Sequence, residues 1–168
     1  MIVVLGLSRC GQGGDGEDRG SAEPSGPLNA RVSEVVDGDT IEVELPDGST
    51  DDVRYIGIDT PETVKPGTPV ECGGPEAHRV NERLVGGRQV TLRLGDERRD
   101  RYGRLLAYVY LPGAGRNGGA LFVNAELVRR GLARTLTIPP NDDFAPLFAR
   151  LAARAGRTGR GLWAACHL

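Results

Sequence analysis

Two carboxylates flank a glycine at Asp37-Gly38-Asp39, with Thr40 immediately after. The triplet is a tight hairpin turn in its own right and also a pair of acceptor oxygens. The residues after Asp39 lack the glycine that an EF-hand loop requires, so that motif is excluded. A second acidic group, Asp59-Thr60-Pro61-Glu62-Thr63, follows Arg54 across four residues. Pro61 holds Thr60 out of the helical region, which aims Asp59 and Glu62 in different directions. Carboxylates without histidine or thiolate neighbours suit a hard, oxygen-seeking cation such as Ca²⁺ or Mg²⁺. A third group, Asp100-Arg101-Tyr102-Gly103-Arg104, sets two arginines three residues apart in a turn. Taken singly, each group is an ordinary polar turn or a solvated face. Together they are the parts of phosphodiester hydrolysis: positive charge for the equatorial phosphoryl oxygens, and a carboxylate to orient or deprotonate water. Arginine serves this better than lysine because its fork binds phosphate in a bidentate manner.

These groups need a rigid frame, and the sequence supplies one. Residues 30–36 and 40–45 are β-rich and flank the first turn. Pro46-Asp47-Gly48 is a turn signal, and 52–58 reads as a third strand, which makes the opening a β-meander. Residues 75–85 have helical spacing, with Ala77, Val80, Leu84 and Val85 as the apolar stripe and Gly86-Gly87 as the stop. Strands are expected at 88–94 and 105–111, a glycine-rich loop at 112–119, a short helix at 124–130 and a longer one at 144–155. Five strands with helices after the third and fifth predict a small Greek-key barrel.

The acidic and basic residues are segregated. Residues 31–62 carry ten acids against two arginines, and residues 63–168 carry nine acids against 17 bases, within a net charge of −2. The contrast suits either salt-bridged solvated faces or a cation site beside a surface for a polyanion. With a pI near 5.7, any contact with nucleic acid must be local. No apolar run approaches the roughly 20 residues of a membrane span. The two histidines and three cysteines exclude a histidine metal site and a disulfide-dense scaffold.

In order along the chain, DGDT, R-x4-DTPET, GPEA, DRYGR-x-LAY and VN-x-x-LVR-x-GLA resemble the staphylococcal nuclease (thermonuclease) family over about residues 31–163. The resemblance implies a mainly β fold, a five-stranded Greek-key OB-fold barrel with three α-helices. It implies a Ca²⁺-dependent endonuclease that cleaves the 5′ P–O bond of single-stranded or locally open DNA and RNA and leaves 3′-phosphates. By the same resemblance Asp39, Asp59 and the carbonyl of Thr60 are metal ligands, and Asp37 is a nearby supporting acid. Glu62 is the general base, Arg54 and Arg104 clamp the phosphate, Tyr102 binds a substrate phosphate, and Arg101 stands where the family often has lysine. One departure is visible: residues 134–140 contain no aromatic where the family supplies base-stacking tyrosines, so weaker substrate affinity or an altered base preference is expected. The alternative function is a non-catalytic OB-fold module that binds nucleic acid or protein; such a module has no need of Asp39, Asp59, Glu62, Arg54 and Arg104 together.

The chain divides into residues 1–10, which resemble a remnant signal segment with a lipobox-like Cys10, a glycine- and acid-rich linker at 11–29, and the nuclease-like domain at 30–168. A secreted or envelope-attached bacterial monomer, anchored through a lipid on Cys10, is the expectation. Nothing near Cys72 or Cys166 supplies a catalytic base, so neither is a nucleophile. They are either two buried thiols or, in an oxidising compartment, a disulfide with Cα atoms within roughly 7 Å.

Overall fold

The computed structural model describes residues 26–63 and 69–166. Cys10 and its surroundings, and residues 11–25 of the expected linker, lie outside the described residues. The elements run β1 Leu28–Asp37, β2 Thr40–Glu44, β3 Thr50–Tyr55, β4 Ile58–Asp59, α1 Gly74–Val85, β5 Gln89–Arg99, β6 Leu105–Leu111, β7 Leu121–Phe122, α2 Val123–Arg129, β8 Arg134–Thr135, α3 Ala145–Arg157 and the single turn α4 Leu162–Ala165. The main sheet has the order β3-β2-β1-β5-β6-β7. It closes through a parallel pairing of β3 with β6, with Val53 opposite Leu105 and Tyr55 opposite Ala107. The ten-residue β1 pairs with both β2 and β5. Two register irregularities against β2 let it bend around the barrel. This is the expected five-stranded barrel of OB type, with three helices packed against it and one extra helical turn.

Alternation sorts each strand. Ile41, Val43, Val53, Tyr55, Val90 and Leu92 are buried in one core with Ala77, Val80 and Val85 of α1. Arg54, between Val53 and Tyr55, therefore emerges on the opposite face of β3. Tyr108, Phe122, Phe144 and Phe148 form an edge-to-face and tilted aromatic cluster that seats α3.

Several boundaries differ from the sequence expectations, three of them in ways that shape the barrel. The strand expected over 52–58 breaks after Tyr55, because Gly57 takes a left-handed φ of 81° and packs under Phe148, where a Cβ would come within 2.4 Å of the ring. The break is held by Asn124, whose amide donates to the Ile56 carbonyl at 2.9 Å and accepts from the Val109 amide at 2.9 Å. The strand expected over 88–94 runs on to Arg99, past an irregularity in its pairing with β6 where the residues are polar and show no alternation. The first strand opens at Leu28, inside the stretch read as linker, with Leu28 opposite Leu92 and Thr91 donating to the Asn29 side chain at 2.9 Å.

One stability prediction arises from α2. Glu126 accepts from Arg129 Nε and Nη2 at 2.6 Å and from Arg130 Nε at 2.7 Å. Burial pushes its carboxyl up, and the two guanidinium groups outweigh that and hold it below the ordinary value of 4.5. A depressed acid contributes stability above its unfolded pKa and loses it as pH falls through the folded one. Glu126→Gln is expected to cost about 1 kcal/mol at pH 7, since both arginines are half-exposed and screened. The deficit should shrink as pH falls below 4.5 in urea titrations; a deficit independent of pH contradicts the assignment.

Candidate active site

The β1–β2 hairpin turns on Gly38 and Asp39, with Asp37 opposite Thr40. Gly38 is required by contact: a Cβ there would lie 2.7 Å from Thr60 Oγ1 and 2.8 Å from the Ala77 methyl. The turn thereby brings the 58–63 segment and α1 against the barrel. Asn81, fully buried on α1, donates to the Asp37 carbonyl at 3.2 Å and accepts from the Tyr55 hydroxyl at 3.1 Å. The core itself thus fixes the position of the first acidic group.

Asp39 has no exposed surface. Its Oδ2 accepts from the Thr60 amide at 2.7 Å, and its Oδ1 is in ion-pair contact with Arg54 Nη1. The other arm of Arg54, Nη2, lies 2.7 Å from Asp59 Oδ1. One guanidinium therefore spans a buried carboxylate and an exposed one. Burial dominates at Asp39 and carries its carboxyl up to about 6, against the lowering effect of Arg54 and the Thr60 amide. Asp39 and Asp59 together set two carboxylates against the one guanidinium of Arg54.

Asp59 and Glu62 have different partners, Arg54 for Asp59 and Asp37 for Glu62. Glu62 lies beside Asp37, whose carboxyl is raised first by burial and further by its Glu62 neighbour, against hydrogen bonds from Thr63 and Gly38. The Thr63 hydroxyl donates to Asp37 Oδ1 at 2.7 Å, and the Thr63 amide donates to Glu62 Oε1 at 3.2 Å. Asp37, Asp39, Thr60 and Glu62 are thus joined through the turn, α1 and the 58–63 segment.

The third group is organised by Asp100. It accepts from the amides of Tyr102 and Arg104 at 2.9 and 3.1 Å and from Arg104 Nε at 2.8 Å. Gly103, at a φ of 86°, closes the turn. Tyr102 stands exposed between two guanidinium groups, with Arg101 at 4.8 Å and Arg104 at 5.4 Å from its ring centre. Arg101 Nη2 also donates to the Tyr102 hydroxyl at 2.6 Å.

Arg54, Arg101, Tyr102 and Arg104 line one cleft of about 510 Å³, whose far wall includes Leu136 and Ile138. Asp39, Asp59 and Glu62 lie outside its lining, with Arg54 linking the first two to it. The parallel β3–β6 pairing sets Arg54 opposite Leu106, two residues from Arg104. Barrel closure is what brings together two arginines 50 residues apart in sequence. Sequence reasoning missed Asp100 as the organiser of its turn, as well as Asn81 and Asn124. Each bonds at least one backbone group, and such partners leave no mark in residue spacing. The cysteines are joined: Cys72 and Cys166 form a disulfide with Cα atoms 5.9 Å apart.

The donor set around Asp39 consists of oxygen atoms only. Among the described residues no three His, Cys, Asp or Glu side chains converge on one point. A cation there would take the Asp39 and Asp59 carboxylates and the Thr60 carbonyl, with water completing its shell. A buried carboxylate whose desolvation Arg54 and the Thr60 amide only partly offset fits such a guest.

Comparison with known proteins points the same way. A family model described as "Staphylococcal nuclease homologue" matches residues 52–165. The chain is 38% identical over 150 residues to the "Thermonuclease" of Staphylococcus intermedius, covering 89% of this chain and 84% of that protein. It is 35% identical over 162 residues to the "Thermonuclease" of Staphylococcus hyicus, covering 96% and 90%. It is also 39% identical over 123 residues to "Endonuclease YncB" of Bacillus subtilis (strain 168), covering 72% of this chain and 54% of that one.

Proposed function

Because the chain belongs to the staphylococcal nuclease family, we propose that it is a nuclease, a Ca²⁺-dependent endonuclease that hydrolyses single-stranded or locally open DNA and RNA. The observation that carries this reading is Arg54, which joins the buried Asp39 and the exposed Asp59 while lining a cleft shared with Arg104 and Tyr102. A non-catalytic binding module has no use for a guanidinium that bridges two carboxylates at the edge of a cleft lined by two further arginines.

Asp39, Asp59 and the Thr60 carbonyl would hold the cation. Bound there, a Ca²⁺ would supply positive charge against the phosphoryl oxygens in the transition state. Arg54 and Arg104 bind the scissile phosphate from the cleft side and stabilise charge as it grows on the equatorial oxygens. Asp100 holds Arg104 along two bonds, so the guanidinium meets the phosphate in one orientation. Tyr102 and Arg101, exposed at the rim, bind a flanking phosphate. Glu62 takes a proton from the attacking water, whose oxygen bonds to phosphorus as the P–O5′ bond breaks; the 5′-oxygen takes a proton from solvent and leaves as a hydroxyl, with the phosphate left on the 3′ side. Export to an oxidising compartment accords with the Cys72–Cys166 bridge. Attachment through Cys10 and a monomeric state complete the proposal. The test is end-group analysis of digests of heat-denatured DNA and of RNA. Terminal 3′-phosphates and free 5′-hydroxyls are expected; 5′-phosphates would refute the assigned bond.

The cleft wall yields a further prediction. Where the family stacks tyrosines on a base, this chain presents Leu136 and Ile138, the latter 56% exposed. Stacking on an aromatic ring contributes about 1–3 kcal/mol per base. Ile138→Tyr is therefore expected to lower KM for single-stranded DNA at least about threefold with kcat nearly unchanged. An unchanged KM would show that this wall does not meet the base.

A further inference from the structure

Glu62 and Thr63 precede residues 64–68, which lie outside the described residues, and beyond these Glu71 bonds back to Glu62. The Glu71 amide donates to the Glu62 carbonyl at 2.9 Å. The Glu62 amide donates back to Glu71 Oε2 at 3.3 Å. Glu71 is itself exposed and precedes Cys72, whose sulfur is bonded to Cys166 across a sequence separation of 94 residues. Beyond the bridge the path enters the core. Leu162 of α4 is 2% exposed, its amide donates to the Gly131 carbonyl at 2.9 Å, and it packs so closely on Gly73 that a Cβ there would lie 2.1 Å from its Cδ2. Without the bridge, Glu71 and Cys72 would be an exposed loop beside the four-residue α4, and exposed loops are where local opening concentrates.

We propose that Glu71 and the Cys72–Cys166 bridge are positioning elements for Glu62, so that reducing the bridge slows catalysis without weakening substrate binding. This rests on the reading of Glu62 as the general base. The phosphate-binding arginines have other partners, Asp39 and Asp59 for Arg54 and Asp100 for Arg104, and none of these contacts includes Glu71 or the bridge. The chemistry requires a dithiol reductant. One of its thiolates attacks a bridge sulfur and its second thiol resolves the mixed disulfide. Cys72 and Cys166 are released as two thiols, and the reductant becomes a cyclic disulfide, having given up two electrons and two protons.

The experiment measures kcat and KM for single-stranded DNA in Ca²⁺ with the full chain, oxidised and after dithiothreitol, with free thiols counted. Reduction is expected to lower kcat about tenfold or more, in line with the cost of a small misplacement of a catalytic group, and to leave KM within about twofold. C72S/C166S should start at the reduced level and ignore reductant. Since that variant could lose fold stability, Glu71→Ala and Glu71→Gln are compared with the bridge intact. Alanine should lose kcat, and glutamine, which keeps the acceptor oxygen for the Glu62 amide, should retain most of it. An unchanged kcat in fully reduced protein, a KM that rises as far as kcat falls, or a Glu71→Ala variant with wild-type kcat would each overturn the proposal. An oxidised chain that cleaves nothing in Ca²⁺ would instead overturn the nuclease reading on which it stands.

Discussion

Arg54→Ala is expected to lower kcat by about 10²-fold or more and to cost about 3 kcal/mol of stability at neutral pH. Both effects follow from the same geometry. Arg54 contributes one arm to fully buried Asp39 and the other to Asp59, with its side chain only 20% exposed. Removing one partner of a buried pair leaves the other charge uncompensated, which costs about 3–5 kcal/mol when both are deeply buried; the exposed Asp59 end puts this case at the lower limit. The catalytic loss has a separate origin, since a donor aimed at charge that develops in the transition state contributes about 10²–10³ in kcat. Arg54→Lys separates the two. It restores a positive charge near Asp39 and should recover part of the stability, but a single ammonium cannot span both carboxylates and hold a phosphate in the cleft. Steady-state kinetics and urea unfolding of the two variants test this. Near-wild-type kcat in Arg54→Ala would mean that the guanidinium is structural only.

Glu62→Gln should lower kcat by at least about 10²-fold and leave KM within a few-fold, the pattern of a group that acts on the proton of water rather than on ground-state binding. The amide keeps the size of the side chain and its Oε1 acceptor for the Thr63 amide, so the local fold should persist and the melting temperature should scarcely move. It also removes the negative neighbour that helps to raise Asp37. A variant that retains kcat would transfer the role of base to another group and remove the reason for the Glu71 tether.

The acidic and basic groups of the site were legible in the sequence because each sits at a turn, where residue type and glycine or proline spacing fix the local path. DGDT became the β1–β2 turn, and DRYGR became the turn before β6. The barrel was legible because Val53 and Tyr55 alternate with Arg54, and Val90 with Leu92, over a buried face. Other features left no trace in the pattern. Apolar residues continue through 55–58, so the break at Gly57 could not be read without Phe148 above it and Asn124 beside it. The extension of β5 to Arg99 carries only polar side chains. Glu71 looks like one more surface acid until its pairing with Glu62 is seen, and the convergence of Arg54 with Arg104 depends on the parallel closure of β3 on β6.

The central claim is that the oxygen ligands at Asp39 and the arginines of the cleft form one metal-dependent hydrolytic site. The most direct test incubates the full chain with single-stranded DNA in Ca²⁺ and, in parallel, in excess chelator, with Asp39→Ala beside the wild type. Rapid cleavage in Ca²⁺, none in chelator, and neither Ca²⁺ binding nor cleavage by Asp39→Ala are the expected results; full activity in chelator, or an Asp39→Ala variant that still cleaves, would contradict the account.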